Sequence, residues 1–456
     1  MNLAPDQLLA KYNIPVPRYT SYPTVPYWQE CDTPAEWLDA FKYDFSTAAA
    51  GDGFSLYIHL PFCESLCTYC GCNKKITNNH AVENEYISAI HKEWQQYFSL
   101  MSHTPVLREL HLGGGTPTFF KPENLKRLLQ PILATCQIHS QHEFSFEGHP
   151  NNTSAEHLQT LFDLGFRRVS YGVQDNDEEV QRIINRIQPF DKVQSVTEKA
   201  REIGYSSVNF DLIYGLPKQT HESIKRTISQ TISLRPDRVA FYSYAHVPWT
   251  SRGQRLFDEN DLPSTAEKLA LYQTGRQMFL DAGYIDVGMD HFALPDDDLC
   301  QALKQGRLHR SFMGYTTQRT EILIGLGVSA ISTSPSAYAQ NEKTLHNYYN
   351  ITNQGKCAVK KICIRSEEDR RFGQYILDIS CNGFTTFHTE DSSTIATLTM
   401  PLLSDMEKDG LLVSTATGVS LTNIGKNYVR NVCSAFDLHL QKNRPDRVKK
   451  VFSQSV

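Results

Sequence analysis

The sequence contains no run of about eighteen consecutive apolar residues, which excludes an ordinary membrane-spanning helix. Its first residues lack a basic segment followed by an apolar one, so no secretory signal is expected. The sequence also lacks a large excess of acidic or basic residues. The 45 basic and 50 acidic residues leave a net charge of −5, which creates no broad field for nucleic acid or anionic lipid. We therefore expect a cytoplasmic protein that binds neither nucleic acid nor membrane.

Paired C-x-x-C motifs, the usual sign of structural zinc, are missing as well. Of the eleven cysteines, only Cys67 and Cys70 have this spacing. A disulfide framework suits short secreted domains, whereas this chain has 456 residues. Eleven cysteines in a chain without a secretory signal indicate a reducing compartment, in which thiols stay free to bind metal.

Four of the cysteines nevertheless lie close together in residues 57–73. Cys63, Cys67 and Cys70 have the spacing C-x-x-x-C-x-x-C, and Cys72 follows as C-x-C. Three thiolates on one short loop can hold three irons of a 4Fe–4S cluster and leave the fourth iron open for a small molecule. A zinc site, or a redox pair formed by Cys67 and Cys70, is the alternative at this stage.

Strands and helices alternate six times between residues 54 and 246. Such an order predicts parallel strands joined by right-handed crossovers. Six units are fewer than the eight of a closed barrel, so we expect an α/β fold with a partial (β/α)6 barrel; a flat doubly wound sheet is the alternative. The expected strands are 54–58, 107–112, 143–146, 167–173, 207–213 and 238–243, and the expected helices are 83–100, 122–136, 154–164, 178–187, 190–203 and 221–234.

Unusual residues follow the carboxyl ends of these expected strands. That end of a parallel sheet or barrel is where ligands bind. Glycines allow the backbone to approach a ligand closely, and carboxylates and amides suit hydroxyl groups or a cation. We therefore expect one shared site, built from the cysteine loop, the glycines at 113–115, Glu147, Gln174, Asp211 and residues 245–246.

The two ends of the chain differ from this central region. Residues 15–24 contain three prolines and are expected to be extended, either as a linker or as an arm that crosses the site. Residues from about 360 predict helices at 366–377, 393–408 and 423–441 with a hairpin at 410–421, an order typical of winged-helix modules, and the basic residues at 442–450 are expected to be a solvated end. The expected domains are an N-terminal arm at 1–50, a catalytic domain at 51–355 and a mostly helical, winged-helix-like domain at 356–456.

Together these motifs resemble the oxygen-independent coproporphyrinogen III oxidase family of radical S-adenosylmethionine (SAM) enzymes. The resemblance covers nearly the whole chain. It rests on the cysteine loop with Tyr69 and Cys72, and on residues 17–24, 113–118, 172–175, 179–186, 211–217, 244–246, 288–292, 314–317 and 327–331.

The resemblance implies an activity in heme biosynthesis. A reduced 4Fe–4S cluster cleaves SAM to a 5′-deoxyadenosyl radical, which removes hydrogen from a propionate side chain of coproporphyrinogen III. Loss of carbon dioxide and an electron then leaves a vinyl group, and repetition on a second propionate gives protoporphyrinogen IX. The implied partners are an electron donor such as flavodoxin or ferredoxin and an unidentified acceptor, and a monomer is expected.

The resemblance also implies the site residues. Cys63, Cys67 and Cys70 would hold the cluster, and a second SAM would lie beside the first. Arg18, His59 and Cys72 are the substrate-side candidates, with Lys218 as a weaker choice for binding carboxylates. The residues expected to contact SAM are Tyr57, Tyr69, Gly114, Gly115, Thr116, Glu147, Gln174, Arg186, Asp211, Ala245 and Ile331.

Two departures and one alternative accompany this interpretation. Residues 147–150 read Glu-Gly-His-Pro where well-known members carry Glu-Val-Asp-Pro, and Met313 is a glutamine in some members. Both put local contacts in doubt. The alternative is a non-enzymatic heme chaperone on the same scaffold, which lacks the equivalent of Cys72 and the motif at 17–24; because both are present here, the enzyme is favoured.

Overall fold

The computed structural model describes residues 4–47, 53–249, 251–442 and 452–455. The expected boundary between residues 50 and 51 and the basic residues at 444–450 lie outside the described residues.

Six parallel strands form the wall of a partial barrel, as the alternation predicted. They pair in chain order, and helices connect them. Alternate residues of five of the strands line one cavity of about 160 Å³, so the sheet curves around an interior. The strands are β1 (Phe54–Leu60), β2 (Val106–Gly114), β3 (Gln137–Gly148), β4 (Arg168–Gln174), β5 (Ser207–Tyr214) and β6 (Arg238–Ser243). The connecting helices are Val82–Leu100, Pro122–Leu133, Ala155–Asp163, Glu178–Ile183, Phe190–Ile203 and His221–Leu234.

Several of the expected bounds differ from the structure, and two of the differences have a clear physical reason. Strand β3 begins at Gln137, where Gln137 and Ile138 pair with Val106 and Leu107 of β2. The first residues of this strand are mostly polar and exposed, which hides it from a search for apolar runs. The helix expected at 178–187 ends at Ile183, because Asn185 has a left-handed backbone (φ 53°) and the N–H of Arg186 donates to the Gln181 carbonyl. This turn aims Arg186 back toward the barrel.

Further strands extend the sheet on both sides of the barrel. Leu323–Leu326 pairs parallel with β1, and His291–Ala293 pairs antiparallel with β6. Val359–Ile364, from the region expected to begin at residue 356, also joins this sheet through Ala337–Asn341. Within the described residues the sheet has thirteen strands; the remaining three are Gln29–Glu30, Ile285–Gly288 and Ile331–Thr333, and Gln29–Glu30 forms the edge beside Val359–Ile364.

The C-terminal region is mostly helical and carries a small antiparallel sheet. Phe384–Thr386 pairs with the hairpin formed by Leu412–Thr415 and Gly418–Leu421. The helix expected at 423–441 is interrupted, because the Asp437 carboxylate accepts from the N–H of Leu440 and starts a new helix there. The helices of this region are Glu367–Asn382, Ser392–Thr394, Met400–Lys408, Val429–Ser434 and Leu438–Lys442, with a π-helical turn at Ile395–Thr399.

The leader packs on this C-terminal region. Leu8, Tyr12, Tyr19 and Tyr22 belong to one buried apolar cluster with Phe372 and its neighbours. The Tyr19 hydroxyl donates to Asp437 (3.1 Å), and the N–H of Leu438 donates to the Tyr22 hydroxyl (2.9 Å). The leader is therefore a fixed arm and not a free linker.

Further helices lie before the first barrel strand and after the last one. Two short helices, Pro5–Tyr12 and Ala35–Thr47, precede the barrel, and Thr265–Asp281, Asp298–Lys304 and Leu345–Asn353 follow β6. A hairpin of His309–Ser311 and Gly314–Thr316 lies against the cavity. No helix in the described part of the chain is long and apolar enough to cross a membrane.

Candidate active site

The cysteine loop leaves β1 at the carboxyl edge of the barrel, with three half-buried free thiols. The Cys63 sulfur lies 3.3 Å from the Thr116 hydroxyl, and Nη1 of Arg186 donates to the Cys67 sulfur (3.6 Å). Thr116 follows β2 and Arg186 follows the helix Glu178–Ile183, so two separate segments of the rim position the loop. Burial raises the pKa of the Cys63 thiol to about 11, and metal binding must therefore displace its proton.

Cys72 is exposed and lies beside Cys70. The Cys72 thiol hydrogen-bonds to Cys70 and lowers the pKa of Cys70 to about 6. Lys74 adds to this, since its Nζ donates to the Cys70 carbonyl (3.0 Å). Cys72 is thus a neighbour of an expected cluster ligand, at the open face of the loop.

The donor set of the loop fits an iron–sulfur cluster. Three soft thiols and no carboxylate or imidazole are the ligands that such clusters take. Among the described residues no three His, Cys, Asp or Glu side chains converge on a point where a single ion would bind. Three thiolates on one short loop can each hold a separate iron of such a cluster.

The glycine run crosses directly over the start of the cysteine loop. The N–H of Gly115 donates to the Leu60 carbonyl (2.9 Å), and a Cβ at Gly115 would lie 2.6 Å from the Pro61 carbonyl. Gly114 has φ +120°, and its Cβ would meet the His59 ring at 2.8 Å. Only glycine permits this approach of two backbone segments.

A chain of polar contacts joins Glu147 to the loop. The N–H of Gly114 donates to Glu147 Oε2 (3.1 Å), and His111 Nε2 lies 3.6 Å from Oε1. The Tyr57 ring stacks on His111, with 6.0 Å between centroids. The Glu147 side chain is 46% exposed, so its carboxylate faces open space where a ligand can reach it.

His59, expected as a substrate-side candidate, has both ring nitrogens occupied. Nδ1 contacts the Tyr57 hydroxyl (3.0 Å), and Nε2 contacts the Asn73 carbonyl (2.9 Å). Burial lowers the pKa of His59. This neutral side chain holds the end of the cysteine loop and leaves no nitrogen free for substrate.

Arg186 is the central cation of the rim. Its Nη2 donates to the Gly172 carbonyl (2.6 Å) while Nη1 reaches Cys67. Gln174 has a left-handed backbone (φ 66°), which turns its amide to within 2.6 Å of where a Gly172 Cβ would be. The guanidinium is therefore placed to offset negative charge on the thiolates.

Of the other expected residues, Tyr69 and Ala245 are held at the rim, whereas Lys218 lies at the surface. Gln254, which the sequence did not single out, donates to the carbonyls of Tyr69 (3.0 Å) and Ala245 (3.1 Å) and so ties both to the rim. Ile331 begins the strand Ile331–Thr333, and its backbone packs against Gly325 of the neighbouring strand Leu323–Leu326, which itself pairs with β1. Lys218 pairs with Asp261 (2.6 Å) at the surface, which argues against a role in binding substrate.

His111 and Gln254 are the polar residues that sequence reasoning missed. The alternation of β2 could have found His111, because it lies on the same face as Glu109 and lines the cavity. Nothing in the sequence around the buried Gln254 indicates its two carbonyl partners.

Asp211 lies in the wall of the cavity, where the Ser170 hydroxyl donates to its Oδ2 (3.3 Å). Burial, and next the charge of Glu147, raise its pKa from 3.8 to about 7. Between these values the folded chain holds a proton that the unfolded chain has lost. The contribution of Asp211 to stability therefore falls as pH rises from about 4 to 7 and is level above that window.

An Asp211→Asn variant is expected to remove the loss of stability that accompanies the rise in pH. In thermal unfolding of the ligand-free protein, its Tm should exceed that of the wild type by about 2–5 °C at pH 8 and by almost nothing at pH 4. An equal difference at both pH values would contradict the raised pKa, because a neutral packing effect does not depend on pH.

Known proteins match this chain over nearly its full length. Residues 57–230 match the radical SAM superfamily. Oxygen-independent coproporphyrinogen III oxidase of Pseudomonas aeruginosa is 37% identical over 452 residues, which cover 97% of this chain and 98% of the relative. The oxidase of the same name from Escherichia coli is 38% identical over 463 residues, with 97% of each chain covered.

A solved structure agrees with the sequence matches. Coproporphyrinogen III oxidase from Escherichia coli, described as a radical SAM enzyme, superimposes with a TM-score of 0.89 at 36% identity and covers 96% of this chain and 100% of its own. The sequence identity over nearly the full length and the structural superposition lead to one conclusion. The chain belongs to the oxygen-independent coproporphyrinogen III oxidase family of radical SAM enzymes.

Proposed function

We propose that this enzyme converts coproporphyrinogen III to protoporphyrinogen IX in heme biosynthesis by oxidative decarboxylation of two propionate side chains. The observation that carries the proposal is the convergence of three free thiols, a glycine turn and two carboxylates on one rim, in a chain that resembles its named relatives from end to end. The comparisons give no support to the heme chaperone alternative.

The 4Fe–4S cluster and SAM supply a 5′-deoxyadenosyl radical when they are bound. Cys63, Cys67 and Cys70 would hold the cluster, and Arg186 would offset its negative charge through Cys67. The glycine run removes side chains from the place where the amino acid part of SAM would lie.

Carboxylates and amides at the rim would bind the rest of SAM. Glu147 and Asp211 accept hydrogen bonds from ribose hydroxyls and favour the sulfonium cation, and the Gln174 amide adds a donor. Tyr57, Tyr69, Thr116, Ala245 and Ile331 complete the proposed SAM contacts. Closure of the barrel by the arm would exclude water from the radical.

Each decarboxylation balances without oxygen. The bound cluster and SAM would supply the removal of one hydrogen atom from the β-carbon of a propionate, with 5′-deoxyadenosine as the product. The substrate then loses carbon dioxide and one electron, which leaves a vinyl group. Two rounds use two SAM molecules and two electrons from a reductant, and they return two electrons to an acceptor.

Several further features are proposed on the same basis. A second SAM lies beside the first, a flavodoxin or ferredoxin supplies the electrons, and the enzyme acts as a monomer in the cytoplasm. The arm at 1–50, the catalytic domain at 51–355 and the C-terminal domain at 356–456 act together, because the arm packs on the C-terminal cluster and reaches the barrel through Arg18.

Anaerobic reconstitution with iron and sulfide, followed by SAM, a reductant and coproporphyrinogen III, tests the proposal. The expected products are protoporphyrinogen IX, carbon dioxide and 5′-deoxyadenosine. A preparation with a full complement of cluster that yields none of the three would contradict it. Stoichiometric heme binding without vinyl product would favour the chaperone instead.

A further inference from the structure

The turn between Ile285–Gly288 and His291–Ala293 has an unusual backbone. Gly288, Met289 and Asp290 have φ values of +119°, +39° and +72°, so three successive residues are left-handed. Such a conformation is costly for residues other than glycine and persists only where the surroundings hold it. Here the N–H of Phe241 in β6 donates to the Asp290 carbonyl (2.7 Å).

His291 fixes this turn from the other side. Its Nδ1 contacts the Met289 carbonyl (2.8 Å), and its Nε2 contacts the Tyr242 hydroxyl (3.3 Å). Its ring packs edge-on against Tyr242 and Tyr315, at 5.6 and 5.1 Å between centroids. These three rings line the same cavity as Asp211 and Glu147, so the turn adjoins the proposed SAM site.

Arginines from three distant segments surround the turn. The Arg18 guanidinium lies 5.9 Å from the Tyr242 ring, and Arg310 lies 5.6 Å from the Tyr315 ring. Nη1 of Arg310 also donates to the Arg18 carbonyl (2.7 Å). Arg430 holds the arm in place, since its Nε donates to the Pro17 carbonyl (3.2 Å).

The facing polar groups lack partners of their own. In the described part of the chain, the Asp290 carboxylate accepts no hydrogen bond and the Arg18 guanidinium donates none. Nε of Arg310 is buried without a partner among those residues. Burial raises the pKa of Asp290, and the charges of Arg18, Arg430 and Arg310 oppose that rise. The Asp290 carboxylate thus lies among several arginines, and both it and the guanidinium groups can still form hydrogen bonds with a ligand.

We propose that Asp290 accepts hydrogen bonds from the inward pyrrole N–H groups of the porphyrinogen, while Arg18 and Arg310 bind its propionate carboxylates. This rests on the proposed function and deepens it. A porphyrinogen carries four pyrrole N–H donors around its centre and carboxylates at its edge. An ionised carboxylate is an acceptor only, and guanidinium groups pair with carboxylates in a fixed fork.

Ligand binding without turnover tests the site. The reconstituted holoenzyme, with SAM but no reductant, is equilibrated anaerobically with coproporphyrinogen III, and bound ligand is measured after ultrafiltration and oxidation to the fluorescent porphyrin. Asp290→Asn should weaken binding by about 10- to 100-fold, and Arg310→Gln should do the same. Asparagine tolerates a left-handed backbone, so the turn is preserved.

Controls and a second ligand sharpen the test. Asp281→Asn and Arg307→Gln change exposed residues whose partners are the nearby Gln277 and Gln305, and both should bind like the wild type. Oxidised coproporphyrin III has two ring nitrogens that are acceptors, so the wild type should prefer the porphyrinogen and Asp290→Asn should lose most of that preference. SAM affinity and iron content should stay unchanged in all variants.

The outcomes separate the site from the reaction. If the wild type forms vinyl product while Asp290→Asn and Arg310→Gln keep wild-type affinity, the site is wrong and the reaction stands. If the wild type binds coproporphyrinogen III, the variants bind it weakly and no vinyl product forms, the site stands and the proposed reaction is wrong.

Discussion

A Cys63→Ala variant is expected to hold no intact 4Fe–4S cluster and to form no protoporphyrinogen IX above background. Each of the three thiolates would bind one iron, so loss of the Cys63 thiolate would leave one iron without its protein ligand. Cys63 is only half-buried, so the barrel should fold without it. Iron and sulfide analysis and the visible absorbance of the cluster measure the loss.

Cys136→Ala is the matched control. Cys136 is half-buried like Cys63 and follows the helix Pro122–Leu133, away from the cysteine loop. Its removal should leave iron content and activity at wild-type values. Full cluster content in Cys63→Ala, or an equal loss in Cys136→Ala, would contradict the assignment of the loop.

A Gly115→Ala variant is expected to lower SAM affinity by about 10- to 100-fold, with a parallel loss of activity. The new methyl group would lie 2.6 Å from the carbonyl carbon and oxygen of Pro61. Both are backbone atoms that the Lys75 N–H and the sheet hold in place, so either the glycine turn or the cysteine loop must shift. Equilibrium binding of SAM to the reconstituted protein measures the effect.

Gly71→Ala serves as its counterpart within the cysteine loop. A Cβ at Gly71 would meet no atom within 4 Å, and its φ is not left-handed. This variant should bind SAM like the wild type. If both substitutions weakened binding equally, flexibility of the loop and not the close approach at Gly115 would be the cause.

The barrel and its rim could be predicted from sequence because local patterns determine them. Six alternations of strand and helix define the parallel order, and most rim residues lie at or near the carboxyl end of a strand. Glu147 and the glycine run illustrate this, since their hydrogen bond joins two adjacent strands.

Features that depend on contacts between distant parts of the chain could not be predicted from such local patterns. Arg430 holds the arm near Arg18 from the other end of the chain, and Gln254 joins two loops that periodicity does not connect. The occupied nitrogens of His59 and the ion pair of Lys218 likewise require the folded chain. The pairing of residues 359–364 with Ala337–Asn341 and Gln29–Glu30 also joins segments that are distant along the chain.

The fate of one hydrogen atom tests the central claim most directly. Coproporphyrinogen III deuterated at the β-carbons of its propionates is incubated with the reconstituted enzyme, SAM and reductant, and the 5′-deoxyadenosine is examined by mass spectrometry. We predict one deuterium in each 5′-deoxyadenosine formed during turnover. Vinyl product accompanied by unlabelled 5′-deoxyadenosine would contradict abstraction by the SAM-derived radical.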